Sequence, residues 1–292
     1  MQKVGVGPSE LPKDLQEALA RGALSGADVL LWLRVRAMPV VGWVCQHWPA
    51  FRDRVMGNPR FLRVLAVEEV LGCTAKTIAE VQTRGAKVWE ELDFLASDLS
   101  LEIIGDFAVV WLLSPRRNFQ PLPTRRLPMA LAALPAHCLQ VETFSVGQRV
   151  ATVALRGSQF FAVGFLSSLL GHGLTVYLVH AKRDRRDAMR EEARAEVRAG
   201  HGGAAARAAA SAEFGEDAAL APVLDNSLGW GAFMATSANV RYQLVNAFEE
   251  RFLERALSGR AARLAATCVL RFSNTYLGSA MWVACARVAG LQ

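Results

Sequence analysis

Between residues 9 and 100 apolar and charged positions alternate at helical spacing, and ordinary helix punctuation divides them. "LPKDLQEALARG" (11–22) has Pro12 near a start, Leu15, Ala18 and Leu19 on one face, and Gly22 as a stop. "GNPRFLRVLAVEEVLG" opens on Asn58-Pro59, which predicts an N-cap followed by proline at the first helical position. "TAKTIAEVQTRGAKVWEELDFLASDL" keeps the helical period and is broken only by Gly85. This part predicts a soluble-type α-helical region over 9–100.

From residue 101 the pattern becomes more apolar. "LEIIGDFAVVWLLSPRR" carries Glu102 and Asp106 and stops at Pro115, and a proline-rich connector follows. "GSQFFAVGFLSSLLGHGLTVYLV" (157–179) has one histidine and no other ionisable group besides Tyr177. About 20 helical residues match the roughly 30 Å of a bilayer core. Phe160, Phe161 and Tyr177 lie towards its ends, where aromatics favour the interface. Two further apolar stretches run over about 226–248 and 264–286, interrupted by Arg241 and Arg271. The pattern therefore predicts an all-α chain with a multi-pass membrane region over 101–292 and spans near 101–114, 157–179, 226–248 and 264–286. A linker over 181–220, a charged helix decaying into Ala/Gly-rich sequence, is expected, its Lys182, Arg183, Arg185 and Arg186 marking the non-translocated side. Small residues recur four apart at Gly164/Ser168, Gly231/Ala235 and Ala280/Ala284, a spacing that permits close helix approach.

Composition agrees with a mixed chain. The 292 residues are 52% hydrophobic with a mean hydropathy of +0.20, too low for a protein made only of spans. Net charge is +6, but acids interleave the basic residues of 182–198 and no aromatic is present there to stack on bases, which argues against nucleic acid. The five cysteines are scattered without a CxxC pair, and the five histidines have no zinc-site spacing, so neither a disulfide framework nor a metal is expected. P-loop, GxGxxG, HExxH and GxSxG motifs are missing, and neither catalysis nor a cofactor is read from the sequence. "MQKVGVGPSELP" lacks the apolar core of a signal peptide and the length and Ser/Arg bias of a transit peptide.

Charge placement raises a more specific expectation. Arg241 would have Ser237, Ala238, Leu244 and Val245 as helical neighbours, and Arg271 would have Thr267, Cys268, Asn274 and Thr275. Neither set contains an acid, whereas Glu102 and Asp106 repel each other four residues apart. An ionisable group at membrane depth costs roughly 2.5–3.5 kcal/mol, so partners across helices are expected. Glu102, Asp106, Asn239, Arg241, Arg271 and Asn274 form the candidate solute-binding set. Structural ion pairs, or arginines reaching to headgroups, are the plainer reading of the same residues. Glu249-Glu250, with Arg251, reads as a solvated helix exit.

"TSANVRYQ" (236–243) and "SNTYLGSAMWVACARVAGLQ" (273–292) resemble the RETICULATA-related family of plant and algal plastid membrane proteins. "LPKDLQEALARG", "FRDRVMGNPRFL" (51–62), "AEVQTRGAKVWEELDF" (79–94), "DFAVVWLLSP" (106–115) and "AVGFLSSLLGHGLTV" (162–176) follow the family's order, covering nearly the whole chain. The resemblance implies a multi-pass chloroplast-envelope protein linked to plastid and leaf development, with some relatives tied to transport of basic amino acids. The plastid leader it implies is not within this sequence, 196–213 has the look of an insertion, and "ALRGSQFFAVGF" (154–165) matches only loosely. A carrier would hold a side-chain cation at Asp106 and Glu102 and a carboxylate at Arg241 or Arg271, lined by Asn239 and Asn274. The alternative is a non-transporting envelope protein that organises membrane or partners.

Overall fold

Ser25 opens one of the first helices by a reciprocal cap. Its hydroxyl accepts the Asp28 N–H at 3.3 Å, and the Asp28 carboxylate accepts the Ser25 N–H at 2.8 Å. The computed structural model describes residues 11–89, 92–117, 119, 126–201, 203–204 and 221–291, and among these every regular element is helical. The α-helices of seven residues or more are, in chain order, α1 (Lys13–Ala20), α2 (Gly26–Arg36), α3 (Pro39–His47), α4 (Pro49–Gly57), α5 (Phe61–Arg84), α6 (Leu92–Leu113), α7 (Arg126–Ala132) and α8 (Val146–Arg198). Then come α9 (Val223–Phe233), α10 (Asn239–Phe248) and α11 (Arg260–Val288). A π-helical turn, Met234–Ala238, joins α9 to α10, and a second, Glu249–Leu253, follows α10.

Two stops fall where glycine predicts them. Gly22 and Gly85 adopt φ of +71° and +56°, which a side chain would strain. One start moves. α5 begins at Phe61, because the Asn58 side chain accepts the Arg60 N–H at 3.0 Å in a local turn and holds Pro59 outside the helix.

α1 to α5 pack around Leu15, Trp32, Phe51, Val55 and Phe61. That core continues past residue 100, since Val110 and Phe119 belong to it and Trp48, Phe107 and Trp111 stack beside it. α6 therefore has two duties. Its C-terminal end closes the first core, and its length lies against α5 and α8.

α8 is a 53-residue helix, about 80 Å long at 1.5 Å per residue. The stretch 181–198, expected as the charged helix of a linker, is helical and continues α8 without a break, while 205–220 lies outside the described residues. Glycines set its approach to α9. Gly231 Cα comes within 3.4 Å of where a Gly164 side chain would begin, and a Cβ on Gly157 would stand 3.2 Å from the Ala235 carbonyl. Ala280 and Ala284, which share the four-residue spacing, are exposed among the described residues.

Among the described residues one helix, α8, is long and apolar enough to cross a membrane, and only 6% of its apolar stretch is buried by the rest of the chain. The expected spans at 101–114, 226–248 and 264–286 are helical but do not reach that standard. Glu102 and Asp106 charge the first, the π-turn and Arg241 interrupt the second, and Arg271 with Ser273, Asn274 and Thr275 dilutes the third. A multi-pass membrane region is thus not supported by length and apolarity, and the coarser all-helical class is what the fold establishes.

Candidate functional site

Glu102 and Asp106 lie one turn apart on α6, so they share a face. Gly72 of α5 packs against that face, and its missing side chain leaves room for both carboxylates. Asp106 Oδ2 is buried there, with no hydrogen-bond donor among the described residues. Glu69 Oε2, one helical turn earlier on α5, is in the same condition. Burial first, then the charges of Glu102 and Glu68, push the Glu69 carboxyl up from 4.5 to about 7. A raised carboxyl favours the folded state below its ordinary value, and that contribution is lost as pH rises from about 4.5 to about 7. Glu69→Gln is therefore expected to melt higher than the parent at pH 8 and equally at pH 4. Superimposable melting profiles across that range would contradict the assignment.

Arg241 stands on α10, just after the first π-turn, and is held from its own side of the fold. Its Nε donates to Ser237 Oγ at 3.3 Å, and its Nη1 donates to both the Asn274 carbonyl and Asn274 Oδ1 at 2.9 Å. The guanidinium carbon lies 5.8 Å from the Phe233 ring and crosses α11 over Gly278. No carboxylate pairs with it among the described residues. A half-buried guanidinium fixed by neutral groups keeps its charge available to an anion.

Glu102, Asp106 and Arg241 all line one cavity of about 610 Å³ between α5, α6, α8, α9, α10 and α11. Ser168 and His172 of α8 and Asn226 of α9 add polar groups, with Asn226 Nδ2 donating to Ser168 Oγ at 3.0 Å. Trp230 and Trp282, edge to face at 4.8 Å, form an apolar wall. Lys76 and Glu80, paired at 3.4 Å, stand at the α5 side.

Arg271 is placed elsewhere. It is fully buried, with Nε and Nη2 donating to the two Glu249 oxygens at 2.8 and 2.9 Å and Nη1 paired with Glu68. Asn239 also misses the cavity. It donates to the Val153 carbonyl at 3.1 Å and accepts from Gln243 at 2.7 Å, tying α10 to α8. Asn274 positions Arg241 rather than facing a solute. Glu249, expected in water, is 0% exposed. Its neighbour Glu250 accepts from His137 at 2.8 Å. Burial would raise the Glu250 carboxyl, but His137 and Arg60 hold it below the usual value.

Sequence reasoning missed Glu68, Gly72, His172 and Gly278. Only the glycines carried a local signal, each sitting inside a helical pattern that it weakens.

Among the described residues no group of histidine, cysteine and acidic side chains is arranged to hold a metal. The family profile described as "RETICULATA-like: Protein RETICULATA-related" matches residues 53–200 and 196–248. The chain is similar to "Protein RETICULATA-RELATED 4, chloroplastic" of Arabidopsis thaliana, at 30% identity over 100% of this chain and 71% of that protein. It is 28% identical to "Protein RETICULATA, chloroplastic", covering 97% of this chain and 62% of the relative. It is 27% identical to "Protein RETICULATA-RELATED 5, chloroplastic", spanning 38% of that longer protein. No solved structure matches.

Proposed function

Since the chain belongs to the RETICULATA-related family, we propose that it is a plastid-envelope membrane protein that binds a basic amino acid in the α5–α11 cavity and carries it across the bilayer. The observation that carries this reading is the lining of a single cavity by two carboxylates and a guanidinium that has no carboxylate partner among the described residues, from different helices. A lysine or arginine has the complementary charges, a cation at one end and a carboxylate at the other. The volume falls in the range of about 300–1,000 Å³ usual for small-molecule sites. In this reading Asp106 and Glu102 hold the side-chain cation and Arg241 the carboxylate, while Arg271 belongs to the frame.

Support for the membrane comes from the helix surfaces. Leu166, Leu170, Leu174 and Tyr177 form an exposed row on α8, and Val240, Leu244, Phe248 and Phe252 form another along α10 and the second π-turn. Rows of this kind are costly in water and at home against lipid. The plastid location rests on the chloroplastic relatives, and the envelope on the resemblance and these rows. A non-transporting role draws on a different surface: Met38, Val40 and Trp43 are exposed on the N-terminal side, where a partner could bind.

Ligand-dependent melting of the purified full chain tests the binding step. Free ligand at about 100 times its dissociation constant stabilises a folded protein by about 2.7 kcal/mol. Lysine and arginine are expected to raise the melting temperature in a saturable way, and leucine is not. Equal or no response to all three would overturn the reading and favour the non-transporting role.

A further inference from the structure

Each charged pole of the cavity rests on a glycine inside a helix, and we propose that Gly72 and Gly278 are specificity-determining residues, which seat the two poles and select a ligand bearing both a cation and a carboxylate. This rests on the cavity being a binding site, as argued above. Glycine in a helix interior costs about 1 kcal/mol relative to alanine. Neither glycine adopts positive φ, so backbone conformation does not require it. Space does. A Cβ on Gly72 would collide with Asp106 Oδ2 and stand 3.2 Å from Glu102 Oε1. A Cβ on Gly278 would stand 2.7, 2.8 and 3.0 Å from Nη1, Nη2 and Cζ of Arg241.

The nearest atoms at both positions belong to the charged heads themselves, with no backbone among them. That distinguishes these glycines from Gly157, where the nearest atom is the Ala235 carbonyl of the packed helix. A methyl group at Gly72 or Gly278 therefore displaces a flexible head and leaves the helices where they are. At Gly278 the displaced guanidinium is drawn off Asn274, which lies one turn earlier on α11 and receives two of its hydrogen bonds. At Gly72 the displaced carboxylate is pushed off α5 into the space that a cation would occupy. The two substitutions should thus damage opposite ends of the same ligand.

Affinities of the full-length protein for lysine, norleucine (lysine without its side-chain amine) and cadaverine (lysine without its carboxylate) test this. Gly72→Ala is expected to weaken lysine by about tenfold or more and to erase its preference over norleucine. Gly278→Ala is expected to weaken lysine similarly, to leave cadaverine unchanged, and so to erase the preference of lysine over cadaverine. Melting temperature is the second readout, and neither variant should fall below the parent, because alanine is the better helix former. If the parent discriminates the ligands and the variants lose all three equally, or lose none, the glycine proposal fails while the binding reading stands. A variant that melts well below the parent also overturns the proposal, since the helices would then have moved. If the parent does not prefer lysine over norleucine, the binding reading itself fails.

Discussion

Arg271→Met is expected to destabilise the fold by about 3–5 kcal/mol, the cost of leaving buried charges without their partner. Arg271 is fully buried, makes a two-point contact with Glu249 and a third with Glu68, and both acids are almost entirely excluded from solvent. The triad joins α5, the second π-turn and α11. Removing the guanidinium strands two carboxylates among packed side chains, and the nearest remaining cation, Arg60, lies 3.7 Å from Glu249. Methionine fills the volume, so the loss reflects charge rather than a cavity. Replacing all three members by apolar residues of similar size should recover most of the loss, as buried ion sets are often dispensable when removed together. Thermal or denaturant unfolding of the purified protein reads both variants. A single variant within 1 kcal/mol of the parent would show that the triad is hydrated or unpaired in solution.

Asp106→Asn and Arg241→Gln are expected to do the reverse, sparing the fold and removing the ligand. A hydrogen bond to a charged group contributes about 1.5–3 kcal/mol, so each change should weaken lysine binding by roughly 10- to 150-fold. Neither residue makes an ion pair within the described fold. Asp106→Asn also removes an ionisable acid from the crowd that includes Glu68, Glu69 and Glu102, and its melting temperature should equal or exceed the parent's. Loss of binding with unchanged stability separates the cavity charges from the Arg271 triad. Equal losses of stability and binding at Asp106 and Arg241 would instead place them in the frame.

These two arginines also show how far the sequence could be read. Both stand on helices without a local acid, and that pattern singles both out. It could not tell them apart. One partner of Arg271, Glu68, is 203 residues away, and the pairing arises only when α5 meets α11. The other, Glu249, sits in a run of charges that reads as a wet helix end. The π-turn at Glu249–Leu253 explains part of that error, because an extra residue in the turn rotates the faces that a 3.6-residue period projects. The turn at Met234–Ala238 does the same ahead of Arg241. Helix stops at Gly22 and Gly85, and the small-residue contact between Gly164 and Gly231, were legible because glycine acts through local geometry or close approach. The charged half of α8 is legible as a helix, but its continuity with the apolar half is not, because the change in polarity there resembles a linker boundary. The niches at Gly72 and Gly278 depend on side chains from other helices, and no single-helix pattern contains them.

Exchange of lysine by reconstituted protein addresses the central claim most directly. Purified full-length chain in lipid vesicles preloaded with lysine is expected to take up labelled external lysine faster than protein-free vesicles, saturably, and with competition by arginine but not leucine. Vesicles carrying Asp106→Asn or Arg241→Gln should fall to the protein-free rate while the protein remains folded. Uptake no faster than in protein-free vesicles, from folded parent protein present in both orientations, would contradict the account.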